Sequence, residues 1–177
     1  MAAAAPGDPA GASPGPAAAR RRRGAGRLVA VAQTDAEPDE ATPPLTPGPQ
    51  WSRERIEWLH RFHAERRSGL DGPYGEATWA VEAEDAVVGA VRLKRLPEDG
   101  VLETGIWLSR GARGSGVGRR ALTAVLEEAA RYGAHTVRAD TSSANQPAQE
   151  LLRSLGFRTW PEGDRVAATI TVGRPVS

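Results

Sequence analysis

A glycine-rich loop set between an alternating apolar stretch and an amphipathic one constrains this chain more than any other feature. From Glu103 to Phe157 the sequence reads strand, loop, helix, strand, polar turn, helix. The alternation and β-branched or aromatic content of ETGIWLS (103–109) predict a strand. The loop SRGARGSGVG follows, with Gly111, Gly114, Gly116 and Gly118. In ALTAVLEEAARYG, Leu122, Val125, Leu126 and Ala129 share one face at helical spacing. Gly133 falls where that helix should stop.

The junction of loop and helix has chemistry of its own. The first turn of a helix carries N–H groups with no internal partner, at the positive end of the dipole. Glycines let a ligand approach that backbone closely, and Arg113, Arg119 and Arg120 add formal charge. The result is an anion site suited to a phosphate or pyrophosphate. Three loop types compete for it. A P-loop requires Lys after its glycines, and none follows here. A dinucleotide fingerprint, Gly-x-Gly-x-x-Gly, accepts Gly114 and Gly116 but meets Arg119 at its third position, although Asp140 falls near where a ribose-binding acid would stand. The third type, Arg/Gln-x-x-Gly-x-Gly/Ala, is matched by Arg113-Gly114-Ser115-Gly116-Val117-Gly118.

With that loop, Asn145 in the polar turn, and Leu151-Leu152-Arg153-Ser154-Leu155-Gly156-Phe157 as an "N…LL..LGF" ending, the chain resembles the GNAT superfamily of N-acetyltransferases. GIWLSRGARGSGVGRRAL looks most like the branch containing ribosomal-protein N-terminal acetyltransferases, and a weaker match reaches back to Trp79. The resemblance implies a mixed α/β fold: a central, mostly antiparallel sheet, flanked by helices, with a splayed parallel strand pair at the acyl-CoA site. It implies acetyl transfer from acetyl-CoA, a co-substrate, to a primary amine on a small molecule or a protein N-terminus. The attack is direct, with no covalent enzyme intermediate and no metal. The backbone of Ile106, Trp107 and Leu108 would pair with the pantetheine arm like an added strand. Arg113 and the amides of Gly114, Ser115, Gly116, Val117, Gly118 and Arg119 would cradle the pyrophosphate. Asn145 would contact the cofactor or order the turn near its thiol. The plainer alternatives are an ordinary turn before a helix and an Asn suited to turns.

An ammonium acceptor must lose a proton before it attacks a thioester, and a carboxylate can take that proton. Glu103, on the strand before the loop, is the first candidate, and Asp140, at the end of the next strand, is the second; either could be a surface carboxylate instead. Many relatives place a Tyr acid where Leu152 stands, and others a Ser where Ala148 stands, so neither usual donor to the leaving thiolate is present. That departure keeps a non-catalytic acyl-CoA-binding module open as a second reading. A nucleotide-dependent oxidoreductase is a third.

The rest of the chain frames this segment. At 177 residues it has room for one domain, expected at 27–177 after an unstructured Ala/Pro/Arg-rich tail at 1–26. The Arg run at 20–23 reads either as part of a solvated tail or as a targeting or anionic-surface segment; no apolar stretch follows it to make a secretory signal. A net charge of +1 implies no pull toward nucleic acid or membrane. Without Cys there are no disulfides, thiolate metal sites or Cys nucleophile, which fits a reducing, cytoplasmic setting. Three His make a His-rich metal site unfavourable. The expected assembly is a monomer or homodimer.

RLVAVAQ (27–33) reads as a short strand and 35–50 as a Pro-rich loop. Ser52 caps a predicted amphipathic helix over 52–68 with Ile56, Leu59 and Phe62 on one face. Strands are predicted at 77–83 and 86–96, joined at Glu84-Asp85, then at 101–109, 135–140, 157–160 and 165–172. Pro147 suits the start of the last helix. The unit around 101–140 should be a right-handed parallel crossover. Trp58, Asp71, Tyr74 and Glu76 are placed near the acceptor site.

Overall fold

The computed structural model describes residues 16–173. Its elements are α1 (Pro16–Asp35), α2 (Pro38–Ala41), α3 (Arg53–Glu65), β1 (Glu76–Ala83), β2 (Ala86–Arg95), β3 (Val101–Leu108), α4 (Val117–Arg131), β4 (Thr136–Ser142), α5 (Gln146–Ser154), β5 (Arg158–Glu162) and β6 (Arg165–Thr171). Two 3-10 turns, Arg66–Asp71 and Arg110–Ala112, follow α3 and β3. The strands form one sheet in the order β1-β2-β3-β4-β6-β5. Every pairing is antiparallel except β3 with β4.

One face of the sheet packs against α4 and α5. Val117, Leu122, Val125 and Ala129 of α4 and Leu152 of α5 bury themselves on Leu93, Leu102, Val137 and Ala168. The glycine stop after α4 behaves as read: Gly133 takes φ 79°, which closes the helix. The β1–β2 hairpin turns at Glu84 and Asp85, both at positive φ, as a tight two-residue turn requires.

The other face is covered by α1 and α3, and here one expectation fails. RLVAVAQ is helix, not strand, and the second half of the expected tail, 16–26, belongs to the same helix; residues 1–15 lie outside the described residues. From residue 26 on, Leu28, Val29 and Ala32 of α1 are buried, as is Ala36 just past its end, a spacing with the helical period. The run of small apolar residues satisfies a two-residue alternation equally well, and only the partners decide between them. Leu28 meets Val87 and Ala90 of β2, and Val29 and Ala32 meet Leu59 of α3.

The N-cap of α3 is Ser52, whose hydroxyl accepts from the Arg55 amide at 3.3 Å. Its buried stripe is Arg55, Leu59 and His63. Arg55 is only 1% exposed. It donates to Asp39 Oδ1 (2.6 Å), Thr42 Oγ1 (3.2 Å) and the Thr46 carbonyl (2.9 Å). This clamp holds the 39–46 segment beside the sheet.

Candidate active site

The parallel pair comes apart. Val101, Leu102 and Glu103 pair with Thr136, Val137 and Arg138, and there the contact ends. Past that point β3 stays bonded to β2 as far as Leu108, and β4 to β6 as far as Ser142. Thr104–Leu108 therefore face a gap on the β4 side. The Leu108 carbonyl at its end is occupied: it accepts from Arg113 Nε at 3.1 Å and Nη2 at 3.0 Å.

The glycine loop lies at the mouth of this gap. Gly114 and Gly116 adopt φ 76° and 79°, and Gly116 is the N-cap of α4. The helix ladder begins with the Arg120 amide donating to the Gly116 carbonyl at 3.2 Å. Among the described residues, the amides from Gly114 to Arg119 donate no hydrogen bond. Gly118 is required for close approach, since a Cβ there would lie 3.2 Å from both Leu108 Cδ1 and Leu151 Cδ2. Free N–H groups at a helix start suit an anionic ligand.

The loop arginines divide their work. Arg113 pairs with both Glu40 carboxylate oxygens at 2.9 Å, and Arg110 pairs with Glu37. Arg119 donates to the Ser154 hydroxyl and carbonyl at 2.8 and 3.0 Å, tying α4 to the end of α5. Arg120 makes no ion pair among the described residues, and its Nη1 would be 3.4 Å from a Cβ on Gly116. It is the guanidinium best placed to add charge to the loop. Asn145 is the N-cap of α5, its Oδ1 accepting from the Ala148 amide at 3.2 Å. Leu152 is buried in the core, so the position where many relatives carry Tyr offers no donor.

Below α3, on the sheet face opposite α4, a cleft of about 520 Å³ opens between α3, the segment at 40–43 and the sheet. Its floor is a grid set by strand register. Glu76, Lys94 and Glu103 lie abreast on β1, β2 and β3; Thr78, Arg92 and Gly105 form the next row; Ala80, Ala90 and Trp107 the third. Glu103 and Ala80 complete their rows but do not themselves line the cleft. Charge alternates across it. Glu76, 4% exposed, accepts from Arg66 Nε at 2.5 Å and Arg92 Nη1 at 3.2 Å. Arg92 also donates through Nη2 to Glu103 Oε1 at 2.5 Å. Gly105 leaves room for this, because a Cβ would stand 3.0 Å from Arg92 Nε. Arg66 lies over the Phe62 ring, 3.8 Å from its centroid, and Phe62 stacks on Trp58 at 4.7 Å.

Asp140 lines the cleft from β4, two residues beyond the partner of Glu103, and is paired with Arg165. That hydrogen bond raises the Arg165 pKa above its ordinary value. Both candidate bases thus point to one face across the gap, each held by an arginine. Trp58 and Glu76, expected near the acceptor, do line the cleft; Tyr74 stacks on Arg66 from outside and Asp71 pairs with Arg95.

His63 is one of two histidines in α3, and nothing in the surrounding sequence marks it out. It is 7% exposed and lines the cleft, with Nδ1 3.0 Å from Thr78 Oγ1. Its Nε2 is buried with no hydrogen-bond partner. Burial first, then the charges of Arg66 and His60, lower its pKa to about 4, so the ring is neutral at pH 7.

Among the described residues no cluster of acidic and His side chains is arranged to hold a metal ion, and no helix is long and apolar enough to cross a membrane. The family model described as the acetyltransferase (GNAT) family matches residues 42–157. Mycobacterium smegmatis RimJ, solved in complex with CoA-disulfide, is similar over 85% of this chain and 78% of its own, with a TM-score of 0.69 at 18% identity. Ribosomal-protein-alanine N-acetyltransferase from Brucella melitensis matches with a TM-score of 0.61 and 20% identity, over 85% of this chain and 95% of its own. The Campylobacter jejuni N-acetyltransferase PseH, in complex with acetyl coenzyme A, gives 0.53 and 16% over 68% and 79%. No curated protein matches the chain.

Proposed function

Because the chain belongs to the acetyltransferase (GNAT) family, we propose that it moves the acetyl group of acetyl-CoA onto a primary amine, of a small molecule or a protein N-terminus, by direct attack. The observation that carries this reading is the parting of β3 from β4 beside a helix start with unpartnered amides. A strand-like pantetheine arm fits the first and a pyrophosphate the second. The amides from Gly114 to Arg119, with Arg120, bind the diphosphate. Arg113 acts from one remove, covering the Leu108 carbonyl and bracing the loop against Glu40. The backbone of Ile106 and Trp107 orients the arm along the gap, with Asn145 holding the turn beyond it.

Bound acetyl-CoA supplies the activated carbonyl. The chain supplies proton transfer and position. Glu103 takes the ammonium proton, directly or through water, once the acceptor displaces part of its contact with Arg92; Asp140 is the alternative across the gap. No side chain at 148 or 152 can protonate the sulfur. A thiol ionises near pH 8.5, so the departing thiolate can take its proton from water.

The test is acetyl-CoA consumption with peptides and small amines, alongside calorimetric titration of CoA. Turnover that falls in Glu103→Gln while CoA affinity holds supports the assignment. The second reading, an acyl-CoA-binding module without catalysis, is favoured by the ion pairs on both carboxylates and by Leu152 and Ala148. Tight CoA binding with no turnover across the whole panel would establish it. A rise in melting temperature with NAD(P) and none with CoA would support the oxidoreductase instead.

A further inference from the structure

Of the 23 lysine and arginine side chains in this protein, only Lys94 is a lysine. It lines the cleft in which the proposed acceptor binds. Strand register sets it between Glu76 and Glu103, yet arginines take both carboxylates: Arg66 and Arg92 on Glu76, Arg92 on Glu103. Among the described residues Lys94 makes no ion pair, and it is exposed. The row it occupies is the last in which β3 and β4 are paired, so the gap opens directly beyond it. A guanidinium stays protonated and is no nucleophile, whereas an ε-amine on a four-carbon stem is both mobile and nucleophilic once deprotonated. The chain's one side-chain amine therefore stands, unpaired, where an acetyl acceptor is to be received.

We propose that Lys94 is an acetylation site of the protein itself, modified within the same chain by acetyl-CoA when no outside amine fills the cleft. This rests on the acetyl-transfer reading above. The Lys94 ammonium loses a proton to Glu103 or to water. Its lone pair attacks the thioester carbonyl, a C–N bond forms and the C–S bond breaks. CoA leaves as the thiolate and is protonated by water. The product is a neutral amide, so each chain reacts once, and the cleft loses a positive charge.

The experiment incubates the full chain with acetyl-CoA and no acceptor, following intact mass and mapping the modified peptide, while CoA affinity and turnover of the amine panel are measured in parallel. One acetyl group per chain on Lys94 is expected, at a rate unchanged by diluting the protein. Lys94→Arg keeps the charge and should gain no acetyl group. Gly116→Trp, which keeps Lys94 but obstructs the loop, should slow the modification roughly tenfold or more. The proposal is overturned if Lys94 stays unmodified in protein that binds CoA and acetylates other amines, a result that leaves the acetyl-transfer reading standing. It is also overturned if Gly116→Trp reacts as fast as the parent, which marks plain chemical acetylation, or if the rate per chain rises with protein concentration. Failure to bind CoA at all removes the acetyl-transfer reading and this inference together.

Discussion

At the glycine loop the groups free to bind a ligand belong to the backbone, with Arg120 beside them; in the cleft beneath α3 the charged side chains, Lys94 apart, already bind one another. Gly114 to Arg119 present amides with no partner, and the nearby guanidiniums of Arg113 and Arg119 are tied to Glu40 and Ser154. Beneath α3, Arg66, Glu76, Arg92 and Glu103 form a continuous chain of ion pairs. A backbone site is open before its ligand arrives and loses little when a neighbouring side chain changes. An ionic site must exchange partners to bind, so its specificity depends on every member. The loop is therefore suited to a ligand that never varies, and the cleft to discriminating among acceptors.

The largest effect should follow from closing the backbone site. Gly116→Trp forces a bulky side chain onto a residue at φ 79°, beside Arg120. CoA affinity should fall more than about 1000-fold, equivalent to about 4 kcal/mol, as read by calorimetry. Retained affinity would mean that the ligand is held elsewhere, and the contrast between the two regions would collapse.

Breaking the ionic site should look different. Glu76→Ala leaves Arg66 and Arg92 facing each other without a carboxylate, and removing one partner of a buried pair costs about 3 kcal/mol. Chemical denaturation should show that loss. Acceptor KM should rise as Arg92 and Glu103 shift, while CoA affinity of the folded fraction stays within about twofold. A parallel drop in CoA affinity would show that the regions are coupled.

The same division explains what could be read from the residues alone. Backbone sites leave a mark in sequence, because positive φ and close approach demand glycine at fixed spacing, and Gly114, Gly116 and Gly118 stand where the helix start needs them. The hairpin at Glu84-Asp85, the meander and the crossover were legible from period and turn chemistry. The cleft was not. Glu76 and Glu103 are 27 positions apart in sequence, and only strand register sets them in one row with Lys94. Arg55 stands in the sequence where a capping box would prefer Glu, and its buried role depends on Asp39, Thr42 and Thr46, far from its own helix pattern. RLVAVAQ failed for a related reason, since small apolar residues suit either period until Leu59 and Ala90 choose.

His63 offers a pH test of the cleft. Its folded pKa of about 4 lies below the unfolded value of 6.5, so at intermediate pH the unfolded chain binds more protons. Stability is full above about pH 6.5 and falls as the pH drops toward 4, by about 2 kcal/mol near pH 5 and about 3 kcal/mol at pH 4. In His63→Asn this part of the acid slope should vanish. If the slope survives the substitution, His63 is not its source.

The smallest effect decides whether a side chain other than Arg120 holds the cofactor on the glycine-loop side. Asn145 caps α5 through one hydrogen bond to the Ala148 amide, and losing an N-cap costs about 1 kcal/mol. Asn145→Ala should lower stability by that amount. Asn145→Asp should restore it, because Asp caps as well as Asn. If Asn145 only orders the turn, CoA affinity should recover with stability in the Asp variant. Stability restored without affinity would show that the amide group itself touches the cofactor. A carboxylate can accept the Ala148 amide but cannot replace the donor of an Asn side chain. In that outcome a second side chain, besides Arg120, shares in the cofactor site with the amides, and the difference between the two regions becomes one of degree.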